Sequence, residues 1–240
     1  MRPVFLAADV AADRLVLDGP EGRHAATVRR LRAGEQVDVV DGLGTRAVCT
    51  VAEVGRDVVA LDVVAREVEP EPAPRIVLVQ ALAKGDRGEL AVELATEVGV
   101  DEVVPWAAER CVVRWEGPRG AKALERWRAT AREAGKQSRR ARLPQVADPA
   151  GTAQVAARLA GTTALLLHES AEEPLATAAL PSDGEVVLVV GPEGGLSDRE
   201  LAVLREAGGR AVRLGRSVLR TSTAGAVAAG VVSARTGRWS

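Results

Sequence analysis

The chain has few of the residues that bind metals or form cross-links. Its 240 residues include two cysteines, Cys49 and Cys111, whose positions show no metal-type spacing. We therefore expect two free, buried thiols and no metal site. No apolar run reaches the roughly 20 residues of a membrane span, and none near the amino terminus resembles a signal peptide. These absences predict a soluble, cytoplasmic protein with no membrane partner.

Lysine and aromatic residues are also scarce, with three lysines, four tryptophans, one phenylalanine and no tyrosine. The net charge of −1 hides a basic segment that is opposed only by Glu125 and Glu133. This segment predicts a nucleic-acid partner, although a solvated helix face is the alternative. Trp115 and Trp127 flank it and are candidates for stacking on a base, or for core positions. The basic residues are Arg119, Lys122, Arg126, Arg128, Arg132, Lys136, Arg139, Arg140 and Arg142.

Residues 1–70 alternate short β-type runs with glycine and aspartate turns, which is typical of a small β-barrel. A short helix is predicted over 24–31, and a proline-rich linker over 69–74 ends this domain. The predicted strands are 14–17, 36–40, 47–51 and 58–64.

Residues 75–240 alternate strands with helices, which predicts an α/β domain with a parallel sheet. Ser197 and Glu200 form a capping-box pattern that predicts the start of a helix. From Thr221 onward a helix of small residues is expected to let another element pack very close. The predicted strands are 76–80, 103–106, 163–168, 185–190 and 211–214, and the other predicted helices are 86–98 and 118–138.

A glycine-rich segment, Gly191–Gly195, directly follows the apolar strand 185–190. Open α/β sheets bind ligands where their strands end, and glycine lets backbone groups approach a ligand. The segment matches neither the P-loop nor the dinucleotide pattern. Glu193 disfavours a polyphosphate and favours a ligand with a cationic centre, or one held by adenine. A simple turn is the alternative, but a second glycine loop at 214–221 strengthens the prediction of a cofactor pocket.

The combination of these motifs resembles the SPOUT superfamily of knotted methyltransferases, and within it the ribosomal RNA small subunit methyltransferase E family. The resemblance covers nearly the whole chain. Its residues are Gly191–Gly195 with Ser197 and Glu200, Leu214-Gly215, Val218–Thr221 with Thr223-Ala224, Lys84, Asp86, Glu93–Val100, Pro105, Glu133-Ala134, Gln137-Ser138, Arg140, and His24, Val28, Arg29 and Leu31.

The resemblance implies a PUA-like barrel followed by an α/β domain with a deep trefoil knot, working as a homodimer. It implies S-adenosylmethionine as methyl donor and a uridine N3 in 16S rRNA as acceptor. We expect the cofactor to contact Leu167, His168, Gly191, Pro192, Glu193, Gly194, Gly195, Leu214, Gly215, Ser217, Val218 and Leu219. We expect RNA to contact Arg23, His24, Arg29, Arg30, Arg132, Lys136, Arg139 and Arg140.

Methylation of uracil N3 requires loss of its proton and stabilisation of negative charge on the ring. Arg220 is the first candidate for charge stabilisation, with a structural salt bridge as the alternative. Glu193 is a candidate proton acceptor, or a residue that fixes the turn. His168 is a candidate base, an adenine neighbour or a core histidine. The family usually carries Glu where this chain has Ser222, and we expect the serine to be tolerated.

Two other functions are compatible with parts of this pattern. A non-catalytic RNA-binding factor of ribosome assembly, with a relic cofactor pocket, is favoured by Ser222 alone. A small-molecule transferase with an adenine cofactor leaves the basic segment without a role. An RNA methyltransferase accounts for both the glycine loops and the basic segment.

Overall fold

The structure is a computed structural model that describes residues 2–239, and their contacts divide the chain into two compact units. The first unit comprises the residues up to Glu71 together with Gly135–Leu143. The second comprises Pro72–Ala134 and the residues from Pro144 onward. The sequence analysis assigned 135–143 to the second domain, whereas its contacts group it with the first unit. The predicted boundary between residues 70 and 75 stays a prediction.

The first unit is built on a mixed five-stranded sheet in the order β1-β3-β4-β5-β2. The β1–β3 pair is parallel and the other pairs are antiparallel. Phe5, Leu17 and Leu61 are fully buried in its core. The β-rich nature of this region was predicted, but β1 was missed because it has only three residues. The strands are β1 Val4–Leu6, β2 Arg14–Leu17, β3 Gln36–Val40, β4 Thr45–Val54 and β5 Val59–Val68.

A helical segment joins β2 to β3, as α1 (Gly19–Arg23) continuing into a π-helical turn, His24–Val28. The predicted helix over 24–31 therefore starts earlier, and Pro20 in the first turn suits that start. The proline segment at 69–74 contains neither helix nor strand, as its prolines require.

The segment Gly135–Leu143 is fastened to the first unit by polar and apolar contacts. The Lys136 ammonium donates to Glu21 Oε1 at 2.6 Å, and the side chain of Lys136 is only 3% exposed. Arg46 donates to the carbonyl oxygen of Arg139 at 2.8 Å. Ala141 is fully buried in a small apolar cluster with β1 and β3. These contacts make the segment an integral part of the first unit.

The second unit contains a six-stranded parallel sheet in the order β11-β9-β10-β6-β7-β8. The alternating pattern predicted this α/β architecture, and its central strands are buried on both faces. The predicted trefoil knot stays a prediction. The strands are β6 Arg75–Ala81, β7 Glu102–Trp106, β8 Gln145–Val146, β9 Thr163–Leu167, β10 Glu185–Val190 and β11 Arg210–Val212. The helices are α2 Arg87–Glu97, α3 Gly117–Gln137, α4 Thr152–Leu159, α5 Asp198–Glu206 and α6 Thr221–Thr236.

Helix α6 packs very close to the sheet, as its small residues predicted. A Cβ atom added to Gly225 would lie 2.8 Å from Leu78 of β6, so only glycine fits there without movement. Helix α3 starts in the second unit, but its last residues, from Gly135 to Gln137, belong to the first unit. None of the helices within residues 2–239 is long and apolar enough to cross a membrane.

A buried ion pair anchors the residues that follow α6. The Arg238 guanidinium contacts Asp101 at 2.7 Å, and both side chains are at most 10% exposed. Arg238 also donates to the carbonyl oxygens of Pro74 and Gly99, while Asp101 accepts from the backbone N–H of Ile76. Arg238 therefore links the end of α6 to the segments that flank β6.

We expect Arg238→Ala to lower the free energy of unfolding by about 3 to 5 kcal/mol, because it leaves the buried Asp101 carboxylate without its cation. Urea unfolding followed by circular dichroism measures this effect. Arg205→Ala, which removes an exposed arginine at the end of α5 in the same unit, is the matched control and should change stability by less than about 1 kcal/mol. Equal stability of the two variants would contradict the anchoring role.

Candidate cofactor cleft and its surroundings

A cleft of about 510 Å³ opens where β9 and β10 end. Its walls come from the end of β9 and the residues after it, the glycine loop 191–196 after β10, and the segment 218–221, which leads into α6. A smaller recess shares several of these residues and extends to the loop after β11. The parallel sheet explains this convergence. The carboxyl ends of parallel strands lie at the same edge of the sheet, so the loops that follow them lie close together and can bind one ligand.

The cleft and its recess bring together every residue predicted to contact the cofactor. The residues found only by the structure include Arg87 and Glu169, which lie outside the glycine-containing segments that drew attention to the loops. The predicted residues lining the cleft or the recess are Leu167, His168, Gly191, Pro192, Glu193, Gly194, Gly195, Leu214, Gly215, Ser217, Val218 and Leu219, together with Arg220 in the cleft.

Two glycines in these loops have backbone angles that other residues rarely adopt. Gly195 has φ +69° and Gly215 has φ +152°. The space where a Cβ would lie is open at both positions, so backbone conformation rather than crowding favours glycine there. The glycines at positions 195 and 215 therefore have a conformational cause.

Glu193 connects the glycine loop to the segment that follows β6. Its Oε1 atom accepts from Arg87 at 3.3 Å and from the backbone N–H of Lys84 at 3.4 Å. Its Oε2 atom has no hydrogen-bond partner among the described residues. The carboxylate is about one-third exposed at the cleft wall. Glu193 can therefore support the loop with one oxygen and accept a proton with the other.

A buried polar chain connects the start of α6 to the glycine loop. The Gln80 amide on β6 donates to the Thr221 hydroxyl at 3.0 Å, and that hydroxyl donates to the Gly191 carbonyl at 2.8 Å. Gln80 is fully buried and Thr221 nearly so. The chain fixes the position of Arg220, the residue before Thr221.

The Arg220 side chain is exposed at the cleft, and no carboxylate within residues 2–239 pairs with it. The salt bridge that was the alternative for Arg220 is therefore absent from the described part of the chain. Ser222, in the first turn of α6, is 3% exposed and is not among the cleft-lining residues. The serine hydroxyl is therefore inside the protein and away from the cleft surface.

His168 directly follows β9 at the cleft and is half-buried, so it is not a fully enclosed core histidine. Its Nδ1 atom accepts from the backbone N–H of Ser170 at 3.2 Å. That contact leaves Nε2 as the nitrogen that carries the proton in the neutral ring. His168 can then donate a hydrogen bond into the cleft through Nε2.

Arg110, in the segment after β7, holds the glycine loop from its outer side. One guanidinium nitrogen donates to the carbonyl oxygens of Gly194 and Leu196, each at 3.0 Å. The loop then enters α5 through the predicted capping box of Ser197 and Glu200. Sequence analysis missed Arg110 because these contacts join residues more than 80 positions apart.

The RNA contacts predicted from sequence have different surroundings. Arg23, Arg29, Arg30 and Arg132 are exposed, and His24 and Arg139 line a small recess of about 70 Å³ in the first unit. Arg140 is half-buried. The prediction that Lys136 contacts RNA is corrected, because its buried ammonium bonds to Glu21 and holds the first unit together. Trp127 is 2% exposed, so it takes the core position that was the alternative and cannot stack on a base.

Both cysteines are free and buried, as predicted. Burial raises the pKa of the Cys49 thiol to about 11 and also raises the pKa of Cys111. Since the thiolate is the reactive form, neither thiol is suited to nucleophilic catalysis at neutral pH.

The profile of an RNA methyltransferase domain matches residues 69–233, and that of an RNA methyltransferase PUA domain matches residues 17–64. The ribosomal RNA small subunit methyltransferase E of Mycobacterium bovis is 50% identical over 93% of this chain and 87% of its own length. The chain belongs to the ribosomal RNA small subunit methyltransferase E family. The resemblance drawn from the glycine loops is thereby confirmed.

Further relatives agree with this assignment. The Bacillus subtilis member is 31% identical over 92% of this chain and 90% of its own length. The structure of the Neisseria gonorrhoeae member bound to S-adenosyl methionine superposes with a TM-score of 0.88, at 28% identity over 98% of both chains. The fold of a PUA-like domain and a methyltransferase domain is thus common to this chain and its family.

We expect Arg110→Ala to weaken S-adenosylmethionine binding about 10-fold or more, because a hydrogen bond from a charged group contributes about 1.5 to 3 kcal/mol and this variant releases two loop carbonyls. Isothermal titration calorimetry measures the affinity. Arg199→Ala, at an exposed position at the start of α5, is the control and should bind the cofactor normally. Arg110 has no positioning role if its variant matches that control.

Proposed function

We propose that this protein methylates N3 of a uridine in the 16S rRNA of the small ribosomal subunit, with S-adenosylmethionine as methyl donor. The proposal depends chiefly on one observation. The guanidinium of Arg220 has no carboxylate partner in the described structure and lies at a ligand-sized cleft in a chain of this family. That cation is suited to a substrate that becomes negatively charged during the reaction.

The residues of the cleft fit S-adenosylmethionine. Its volume of about 510 Å³ lies within the range of small-molecule sites. Leu167, Val218 and Leu219 offer apolar surface for an adenine ring. Glu169 and Glu193 add carboxylates to the cleft lining, and these would suit the cationic sulfonium of the cofactor. When bound, the cofactor supplies an electrophilic methyl group.

The remaining chemistry concerns the uracil ring. N3 carries a proton at neutral pH and is a poor nucleophile in that form. We assign acceptance of that proton to Glu193, whose Oε2 atom has no partner among the described residues, and stabilisation of the resulting negative charge to Arg220. Fixed donors in a site that excludes water stabilise such charge more strongly than solvent does. Ser222 takes no part in this scheme, which is why we expect it to be tolerated.

RNA recognition is assigned to exposed arginines of the predicted set. Arg23, Arg29 and Arg30 lie on or directly after the helical segment of the first unit, and all three are exposed. Guanidinium groups suit phosphate contacts, which supply most of the sequence-independent affinity for nucleic acid. The homodimer and the cytoplasmic location implied by the resemblance complete the proposal, and sedimentation analysis tests the dimer.

We expect Arg220→Lys to lower the single-turnover methylation rate of small ribosomal subunits by about 100-fold, comparable to the loss of one fixed donor to a developing negative charge. Lysine keeps the charge but loses the planar pair of donors. Cofactor affinity, measured by calorimetry, should change little, because the interaction acts mainly in the transition state.

Arg216→Lys is the matched control, since Arg216 is exposed on the same loop but is not among the residues lining the cleft or its recess. Equal rates in the two variants would remove the catalytic assignment from Arg220. A wild-type protein that binds the cofactor but leaves the rRNA unmethylated in mass spectrometry would refute the proposed reaction.

We expect the double variant Arg29→Ala/Arg30→Ala to bind rRNA more weakly and with a flatter salt dependence. Each lost phosphate contact lowers the slope of log K against log salt concentration by about 0.7 to 0.9, so the double variant should lose about 1.4 to 1.8. Filter binding across a salt series measures the slope. Arg14→Ala/Arg56→Ala removes equal charge at exposed positions of the same unit, and an identical loss there would argue against a localised RNA surface.

A further inference from the structure

A second cavity of about 410 Å³ lies in the second unit, beside the cofactor cleft. We call it the tryptophan cavity, and its lining includes Gly85, Asp86, Glu89, Trp115 and Arg126. It lies by the segments that follow β6 and β7, which are neighbouring strands, while β10 with the glycine loop lies on the other side of β6. The segment after β6 therefore separates the cavity from the cleft and also bonds to Glu193 in the cleft wall.

One wall of the tryptophan cavity is a fixed aromatic ring. Trp115 is only half-buried and packs edge-to-face with Trp127, with ring centroids 4.9 Å apart and an interplanar angle of 81°. Trp127 itself is buried and tightly enclosed, since a Cβ added to Gly88 would lie 2.8 Å from its ring. The Trp115 ring is packed against Trp127 and is accessible to the cavity. It therefore offers a flat surface for stacking, and little side-chain freedom is lost when a base binds.

The polar groups of the cavity match the edge of a nucleobase. Asp86 and Glu89 supply carboxylate oxygens that accept from ring or amino N–H groups, and Arg126 supplies donors for carbonyl oxygens. Arg126 also contacts Glu89 at 3.2 Å, so this part of the rim is charge-balanced. Two carboxylates disfavour a phosphate inside the cavity, whereas a base presents both donors and acceptors with its flat face.

A row of cations on α3 leads to this cavity. Arg119, Lys122 and Arg126 are exposed and are spaced by three and four residues, so they lie on one face of the helix. Such a row attracts the phosphates of a single strand while the neighbouring cavity receives a base. Aromatic stacking beside a basic track is the usual arrangement in proteins that bind single-stranded nucleic acid.

We propose that the tryptophan cavity binds a nucleobase of the substrate RNA that flanks the target uridine, stacked on Trp115 and hydrogen-bonded by Asp86 or Glu89. This inference rests on the proposed function and assigns it a second base-binding site. It also gives a role to Trp115 and to the first half of the basic segment, which the cofactor cleft does not use.

Tryptophan fluorescence tests the stacking directly. Because Trp106 and Trp127 are buried and Trp239 is 60% exposed, Trp239→Phe leaves Trp115 as the accessible reporter. Titration of this variant with a uridine-containing single-stranded hexanucleotide should quench its emission to saturation. Trp115→Phe/Trp239→Phe should lose most of that signal. The absence of quenching in the Trp239→Phe protein would overturn the proposal.

Affinity measurements separate stacking from a structural effect. We expect Trp115→Ala to bind the hexanucleotide about 5- to 150-fold more weakly, the range for loss of one base–aromatic stack, whereas Trp115→Phe should retain most of the affinity. Both variants should bind an abasic hexanucleotide as the wild type does. Equal weakening toward the abasic and the normal RNA would refute a base site, and so would unchanged affinity of Trp115→Ala for the normal RNA.

Cofactor binding and methylation distinguish this inference from the proposed function. Trp115→Ala should bind S-adenosylmethionine normally and should raise the KM for small ribosomal subunits more than it lowers kcat. Trp239→Ala is the control for removal of a tryptophan elsewhere in the unit. Normal methylation kinetics in Trp115→Ala would overturn the base site and leave the proposed reaction intact, whereas an inactive wild type would refute the reaction itself.

Discussion

A single buried amide connects three segments on which the cofactor cleft depends. Gln80 lies in the middle of the parallel sheet and donates to Thr221, which in turn donates to Gly191. Burial of an amide is costly unless it is hydrogen-bonded, and the Gln80 Oε1 atom has no hydrogen-bond partner within residues 2–239. The bond to Thr221 therefore offsets only part of that cost. It also requires α6 to begin where the glycine loop starts, which places Arg220 at the cleft.

Two further contacts hold the neighbouring loops around this buried chain. Glu193 connects the glycine loop to the segment after β6, and Arg110 connects it to the segment after β7. Side chains thereby hold the loop on two sides. The hydrogen bond from the Thr221 hydroxyl to the Gly191 carbonyl holds the start of the loop. A loop fixed in this way has less conformational freedom to lose when a ligand binds.

The features predicted well from the sequence depend on short-range chemistry. The capping box at Ser197 was recognisable because both partners lie within one turn, and the buried strand β10 because its residues are uniformly apolar. The cofactor residues followed from glycine-rich loops at strand ends. Resemblance to a family with matching motifs supplied the reaction, which periodicity and composition alone do not reveal.

The features that were missed depend on contacts between distant residues or on very short elements. Strand β8 has only two residues and α4 only eight, too few for a clear periodic pattern. In the sequence, Lys136 is one of several cations in a basic segment. In the fold it is buried against Glu21, which lies 115 positions away. Trp127 and Trp115 look alike in the sequence, but packing encloses one ring and leaves the other accessible.

The return of residues 135–143 to the first unit limits how this architecture can be rearranged in evolution. A gene fragment ending near residue 71 would encode Glu21 without its lysine, and β1 and β3 without the apolar contact of Ala141. The first unit is therefore discontinuous in the gene, and recombination at the proline segment alone would not transfer it whole. Inheritance of the two units as one gene segment follows from that short stretch, which begins in the last turn of α3.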